Sequence, residues 1–166
     1  SRKTGDQGRE ALFCNQIGAV WNALGEQRKA LDHYEQALPL HRAVGDRGGE
    51  ATTLNNIGGV WNALGEKRKA LAYYERALLL CRAVGDRGGE ATALTNIGTV
   101  WNALGELRKA LEYHEQAQLL YQELGDRSGE ATAFTSMGAV WGYLGEKRRA
   151  LEYLKQALSL RRAVGD

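Results

Sequence analysis

The sequence is poor in the residues that mark several protein classes, with one proline and two cysteines among 166 residues. Cys14 and Cys81 lie far apart, so their spacing predicts neither a disulfide framework nor a zinc site. We expect both to be core or half-buried side chains in a protein of a reducing compartment, the cytoplasm. The sequence shows no secretory leader and no run of about 18 apolar residues, the pattern of a membrane-spanning helix.

Charge is scarce in two respects. The net charge is only +2, whereas nucleic acids and anionic membranes are bound through an excess of basic residues, so neither is predicted as a partner. Locally, the stretches 11–25, 51–65, 91–105 and 131–145 contain no Asp, Glu, Lys or Arg. An ordinary solvent-exposed helix face would carry Lys and Glu, so we expect an unusual surface in these stretches.

A fixed period of 40 residues organises the chain. Trp21 recurs as Trp61, Trp101 and Trp141, each inside a closely similar stretch. Such a period is typical of repeat proteins, in which each unit buries its apolar face against its neighbours. We divide the chain into a polar leader (1–4), four repeats (5–44, 45–84, 85–124 and 125–164) and the first residues of a fifth repeat (165–166).

Each repeat is predicted to form two helices, A and B. In repeat 2, Asp46 is a favourable N-cap residue, Glu50 adds negative charge to the first turn, and Gly65 ends helix A. Apolar residues at spacings of three and four predict the helices between these signals. The predicted helices are antiparallel and cover about 7–24, 27–43, 47–64, 67–83, 87–104, 107–123, 127–144 and 147–163. Pro39 lies inside the second of them and predicts a kink without loss of the helix.

The repeat resembles the tetratricopeptide repeat (TPR). The matching residues of repeat 2 are Leu54, Ile57, Gly58, Trp61, Gly65, Ala70, Tyr74 and Ala77, and the pattern fits four times. The 40-residue length and the Gly-Asp-Arg linker are similar to the long-helix subtype of kinesin light chains, the adaptor Pins and bacterial signalling proteins. The chain departs from the family in its tryptophans, where a tyrosine is usual, and in His114 and Leu154, where the helix B aromatic is usual.

The resemblance implies an all-α, right-handed superhelical solenoid of four helix-turn-helix repeats, whose A helices line a concave groove that binds peptides. Opposite the apolar face of helix A lies a face of small amides and hydroxyls, which vary among the repeats while the glycines and tryptophans stay fixed. Such side chains can hydrogen-bond the backbone of an extended peptide. We predict the binding residues to be Asn15, Gln16, Asn22, Thr52, Asn55, Asn56, Gly59, Asn62, Thr92, Thr95, Asn96, Thr99, Asn102, Thr135, Ser136 and Tyr143.

An alternative role for these small polar residues is to pack A helices against each other. The tryptophans align with the apolar face, so packing is favoured over recognition. The basic residues at the start of each helix B lie beside Glu26, Glu66, Glu106 and Glu146, and we interpret them as a solvated mixed-charge edge. Neither a metal site nor a cofactor is predicted from His33, His41 and His114, and no nucleophile and base recur together, so an enzyme is not predicted.

The sequence therefore predicts a protein- or peptide-binding scaffold, with Tyr143 stacking on a ligand side chain. One alternative is a structural spacer or a self-assembling element, because solenoid ends normally need a polar capping helix. We expect the last helix to expose Leu151, Leu154 and Leu158, and the first helix to expose Leu12 or Phe13. Another alternative is a regulatory arm of a larger multidomain signalling protein.

Overall fold

The computed structural model describes residues 2–165, and side chains are described from residue 5 to residue 165. This part of the chain is entirely helical apart from short connections. The eight helices are α1 (Arg2–Ala23), α2 (Gln27–Val44), α3 (Arg47–Ala63), α4 (Lys67–Val84), α5 (Arg87–Ala103), α6 (Leu107–Leu124), α7 (Arg127–Tyr143) and α8 (Lys147–Val164). The odd-numbered helices are the A helices and the even-numbered ones the B helices. The predicted start of a fifth repeat includes Asp166, which lies outside the described residues, as does Ser1 of the predicted leader.

The predicted helix bounds agree with α2 to α8 to within one residue at each end. For α1 the predicted start near residue 7 is wrong, because the helix begins at Arg2. The prediction set the start of repeat 1 at Gly5 by analogy with Gly45, which follows α2 with a φ of 72°. Gly5 has no such positive φ and continues the helix.

The helix ends have the chemistry that the sequence indicates. Asp46 caps α3, with its Oδ1 accepting a hydrogen bond of 2.9 Å from the Gly49 amide. The equivalent bonds to Asp86 and Asp126 have the same length. Gly45 takes the left-handed conformation that closes a helix, and its amide donates to the carbonyl of Arg42. The predicted N-caps and glycine terminators are thus confirmed.

The chain forms two compact units, which meet in the sequence within the first turn of α5: Ser1–Gly89 and Glu90–Asp166. In the first unit, α2 packs against both α1 and α3, and α4 packs against α3. Its core joins α2 to α3 through a cluster of Ala30, Leu31, Tyr34, Ile57 and Val60. The helix B of one repeat therefore buries the apolar face of the next helix A, as expected for stacked repeats.

In the second unit, α7 lies between α6 and α8 and packs against both. Its core cluster joins Ala110 and Leu111 of α6 to Met137 and Val140 of α7. Helix α5 approaches α6 closely, because a Cβ added at Gly98 would lie only 2.8 Å from Cε1 of His114. The second unit thus repeats the arrangement of helix B against the following helix A.

Helix α2 continues through Pro39, as the sequence predicts, and the kink stays a prediction. Among the described residues, no helix combines the length and the apolar character needed to cross a membrane.

Candidate functional site

The A-helix face is the set of 16 polar or small residues predicted to bind peptide, and all of them are accessible to solvent to some degree. Gln16, Thr52, Thr92, Thr99, Thr135 and Tyr143 are exposed, and the other ten residues are half-buried. In α3, α5 and α7 the opposite side is buried, as Ile57 and Val60 illustrate, whereas the equivalent Ile17 and Val20 of α1 are exposed. The period of the α-helix therefore separates a core face from a neutral polar face in α3, α5 and α7.

The threonine hydroxyls of this face donate hydrogen bonds within their own helices. Thr52 donates to the carbonyl of Gly48, Thr95 to that of Ala91 and Thr135 to that of Ala131, over 2.8–3.1 Å. Thr99 similarly donates to the carbonyl of Thr95 over 2.9 Å. A hydroxyl that donates in this way keeps lone pairs for a further hydrogen bond, so these groups can act as acceptors.

Asn15 is drawn into the contact between the two A helices of the first unit. Its Nδ2 donates a hydrogen bond of 2.8 Å to Oγ1 of Thr53, which is buried on α3. The hydroxyl of Thr53 in turn donates to the carbonyl of Gly49. For this residue, the geometry favours the alternative in which small polar side chains pack A helices against each other.

Asn62 has a charged neighbour that the sequence prediction missed. The ammonium group of Lys67, at the start of α4, donates to Oδ1 of Asn62 over 2.6 Å and to its backbone carbonyl over 3.1 Å. In repeat 3 the equivalent residues are Asn102 and Leu107, and Oδ1 of Asn102 is buried without a hydrogen-bond donor among the described residues. The signal was present in the sequence, because a lysine side chain five residues after the asparagine can span the turn.

Tyr143 is the most exposed large side chain of the A-helix face, with 72% of its surface accessible. It is the last residue of α7 and lies in the second unit. The phenol ring is therefore accessible to solvent, and its stacking on a ligand side chain stays a prediction.

The four tryptophans pack against the cores but stay half-buried. The other face of each ring is covered by a basic residue of the following helix B: Lys29, Lys69, Lys109 and Arg149 lie 4.3–4.6 Å from the ring centres of Trp21, Trp61, Trp101 and Trp141. Each of the three lysines also pairs with a glutamate, as Lys69 does with Glu66 at 3.6 Å. The predicted packing of the tryptophans and the predicted mixed-charge edge are both confirmed, whereas the cation–π contacts were missed.

The histidines and cysteines take part in packing. Burial lowers the pKa of His114 to about 4, and the imidazole is fully enclosed in the second unit. His41 is also buried, with its Nδ1 2.9 Å from Oδ2 of Asp46. Burial, aided by Glu10, raises the pKa of the half-buried Cys14 thiol, and Cys81 is buried. In the described part of the chain, no three histidine, cysteine, aspartate or glutamate side chains are grouped as metal ligands.

Solved structures with this arrangement of helices are known. BtubC (BKLC) from P. vanneervenii has a TM-score of 0.84 at 23% identity, over 93% of this chain and 64% of that protein. Aspartyl phosphate phosphatase F from Bacillus subtilis has a TM-score of 0.92 at 16% identity, over 96% and 42%. A Rap protein complexed with competence and sporulation factor has a TM-score of 0.86 at 19% identity, over 93% and 43%. The chain spans between two fifths and two thirds of these proteins, and at such identities the likeness shows the fold alone.

A search of curated protein sequences gave no match. The profile of the tetratricopeptide repeat, in contrast, matches the chain in three overlapping ranges, 10–83, 49–118 and 89–163. Together with the eight helices, this confirms an all-α, TPR-like solenoid fold of four helix-turn-helix repeats. The chain belongs to the tetratricopeptide repeat family.

Proposed function

We propose that this chain is a protein-interaction module that holds an extended segment of a partner protein against the A-helix face. The observation that carries the proposal is the chemistry of this face, which consists of accessible amides, hydroxyls and small residues in stretches without any charged residue. A few polar groups placed on an otherwise small and neutral surface are typical of binding sites.

The hydrogen-bonding groups of the face suit a peptide backbone. The hydroxyls of Thr95 and Thr135 donate to their own helices, so their lone pairs can accept hydrogen bonds from peptide N–H groups. The half-buried amide of Asn56 has donors for peptide carbonyls as well as an acceptor. Such a face recognises backbone rather than side-chain charge, and variation among the repeats would supply selectivity.

The neutral character of the face predicts how binding depends on salt. Lys67, which reaches Asn62, is a charged neighbour at one edge of this surface, and its ammonium group is already engaged. We therefore do not expect a clamp for a terminal carboxylate, nor binding to nucleic acid. Peptide affinity should change less than about threefold between low and physiological salt, because screening acts on charges.

The proposal is for a binding protein rather than an enzyme. The raised pKa of Cys14 disfavours the thiolate that a nucleophile needs, and His114 is enclosed in packing. Free thiols suit a reducing compartment, which is why we propose a cytoplasmic location. A role as the regulatory arm of a larger signalling protein is compatible with this function.

A peptide-array screen followed by calorimetry with the best peptide tests the proposal. N-methylation of alternate backbone amides should weaken binding about tenfold, because each removes a donor to the A-helix face. Alanine substitutions at most side chains of the same peptide should have smaller effects. If charged side chains carried the affinity and N-methylation had no effect, backbone recognition would be wrong.

Self-association through the end helices is the second candidate function. Leu151 of α8 is 53% exposed, whereas its equivalent Leu111 is 7% exposed, and Leu154 and Leu158 are exposed as predicted. Leu12 and Phe13 of α1 are also exposed, again as predicted. A second copy could cover these faces as α3 covers α2, and light scattering across a wide concentration range tests this: a constant monomer mass would exclude it.

A further inference from the structure

The second unit contains a trough that lies apart from the A-helix face. Its main cavity has a volume of about 580 Å³ and is walled by residues of α6 and α8, with residues of α7 as its floor. The floor is formed by Phe134, Met137 and Trp141, and none of the residues predicted to bind peptide lines the cavity. The volume falls within the range of ligand-binding pockets.

Amide groups extend the trough along α6 and α8. A second cavity of about 390 Å³ shares Gln118, Phe134 and Gln156 with the first. The side-chain amide of Gln118 donates a hydrogen bond of 2.8 Å to Glu130, which also lines the second cavity. The two cavities therefore adjoin along α6 and α8. We name them together the α6/α8 trough.

The charge of the trough is negative on balance. Glu115 and Glu152 are exposed on its two walls, and the guanidinium of Arg149 is stacked 4.6 Å from the ring centre of Trp141. The equivalent positions of the first unit lie 80 residues earlier in the sequence. Those of Glu115, Glu152 and Arg149 hold Glu35, Ala72 and Lys69, respectively. The position equivalent to Gln156 holds Arg76. The corresponding positions of the first unit therefore carry a positive balance.

Repeat 2 shows how a cation fits against this part of a B helix. There the guanidinium of Arg76 lies 5.6 Å from the ring centre of Tyr73. The equivalent pair in repeat 4 is Gln156 and Tyr153, so the chain supplies no arginine at that position. The ring of Tyr153 lines the trough and lies 6.0 Å from that of Phe134, between centroids. Phe134 itself replaces the leucine of repeats 2 and 3.

We propose that the α6/α8 trough binds an arginine or lysine side chain of a partner protein, in the place that Arg76 occupies against Tyr73. The aromatic rings attract the cation through their faces, and Glu115 and Glu152 provide the opposite charge. The amides of Gln118 and Gln156 can bond the flanking backbone. This second binding surface is independent of the A-helix face.

The test uses the blocked peptides Gly-Ser-Arg-Ser-Gly and Gly-Ser-citrulline-Ser-Gly, which differ in charge but hardly in shape. Titration is followed by NMR through the side-chain amides of Gln118 and Gln156 and the indole N–H of Trp141. The arginine peptide should shift these signals saturably, with an affinity at least about fivefold higher than that of the citrulline peptide. Equal shifts with both peptides would overturn the proposal.

Variants locate the site. Glu152→Ala, which copies Ala72, and Glu115→Gln should each weaken binding of the arginine peptide about fivefold. Gln156→Arg, which copies Arg76, should abolish it because the chain then fills its own site. Glu35→Gln is the matched control in repeat 1 and should leave the affinity unchanged. If Gln156→Arg and Glu115→Gln bound as well as Glu35→Gln, the site would lie elsewhere.

Discussion

Gly58 packs directly against the ring of Tyr74, so that a Cβ added at Gly58 would lie 2.7 Å from the ring atom Cδ1. Tyr74 is buried, and burial raises the pKa of its hydroxyl to about 12. The ring therefore has little room to move away. Helix A and helix B of the same repeat come together at this point, which explains why a glycine recurs at positions 18, 58, 98 and 138.

Substitution at two adjacent glycines separates this packing role from helix propensity. Gly58→Ala should lower the free energy of unfolding by about 1–3 kcal/mol, because the new methyl group overpacks the core. Gly59→Ala should leave the free energy of unfolding unchanged or raise it by up to about 1 kcal/mol, because alanine favours the helix. The added Cβ would make only an ordinary contact of 3.7 Å with the Tyr74 hydroxyl. Urea denaturation of both variants measures the difference, and equal effects would contradict the packing argument.

Trp61 is expected to contribute to stability through its half-buried ring. Trp61→Ala should cost about 3 kcal/mol, because the ring packs against the core cluster of the first unit. Lys69→Met keeps the apolar stem over the ring but removes the charge, and should cost at most about 1 kcal/mol. Thermal melts of the two variants test this order. A tryptophan variant with an unchanged melting temperature would show that the ring does not contribute to stability.

Stability should depend on pH through His114. The pKa is about 4 in the folded chain and 6.5 for a free histidine, so the unfolded chain binds more protons between these values. The free energy of unfolding therefore rises with pH in this window, and the contribution is complete above about pH 7 and lost as the pH falls towards 4. The lowering of the His114 pKa corresponds to roughly 3 kcal/mol in the free energy of unfolding.

The matched control for this prediction is His114→Tyr, which restores the residue found at positions 34 and 74. Urea denaturation of both proteins at several pH values between 4 and 7.5 separates the effect of protonating the histidine from that of protonating the carboxylates, because the carboxylates titrate in both proteins. The wild-type chain should lose more stability than the variant as the pH falls. Parallel pH profiles would exclude His114 as the cause.

Tyr143 is expected to affect binding but not stability. Because its ring is 72% exposed, Tyr143→Ala should change the melting temperature very little. The same substitution should weaken binding of the best peptide from the array about tenfold, since a stacked aromatic side chain can dominate the affinity of a small interface. Tyr113→Ala, on helix α6, is a control outside the A-helix face. Unchanged affinity in the Tyr143 variant would remove this residue from the site.

The sequence predicts most of the fold because each helix carries its own local signals. Asp46 and Gly65 mark the ends of α3 by hydrogen bonding and backbone conformation, and both act locally. The start of α1 was missed because Gly5 is followed by an aspartate, as Gly45 is, although Gly5 lies inside α1. The Gly-Asp pair alone does not distinguish these two glycines.

The site was less predictable because it depends on where long side chains reach. Lys67 bonds to Asn62, and Asn15 bonds to Thr53 in another helix, so both asparagines have partners that a helical wheel does not reveal. The α6/α8 trough is lined by residues of repeats 3 and 4, including Gln118, Phe134 and Gln156. Only their combination in space makes a cavity.

Mapping the best array peptide onto the chain by NMR is the most direct test of the proposed function. The spectra of labelled protein, with and without the peptide, report on the side-chain amides of Asn55, Asn56, Asn96 and Asn102 as well as on the backbone. We expect saturable shifts of these asparagine signals and of the A-helix face around them, with small changes on the B helices. Shifts confined to the B helices would contradict the account.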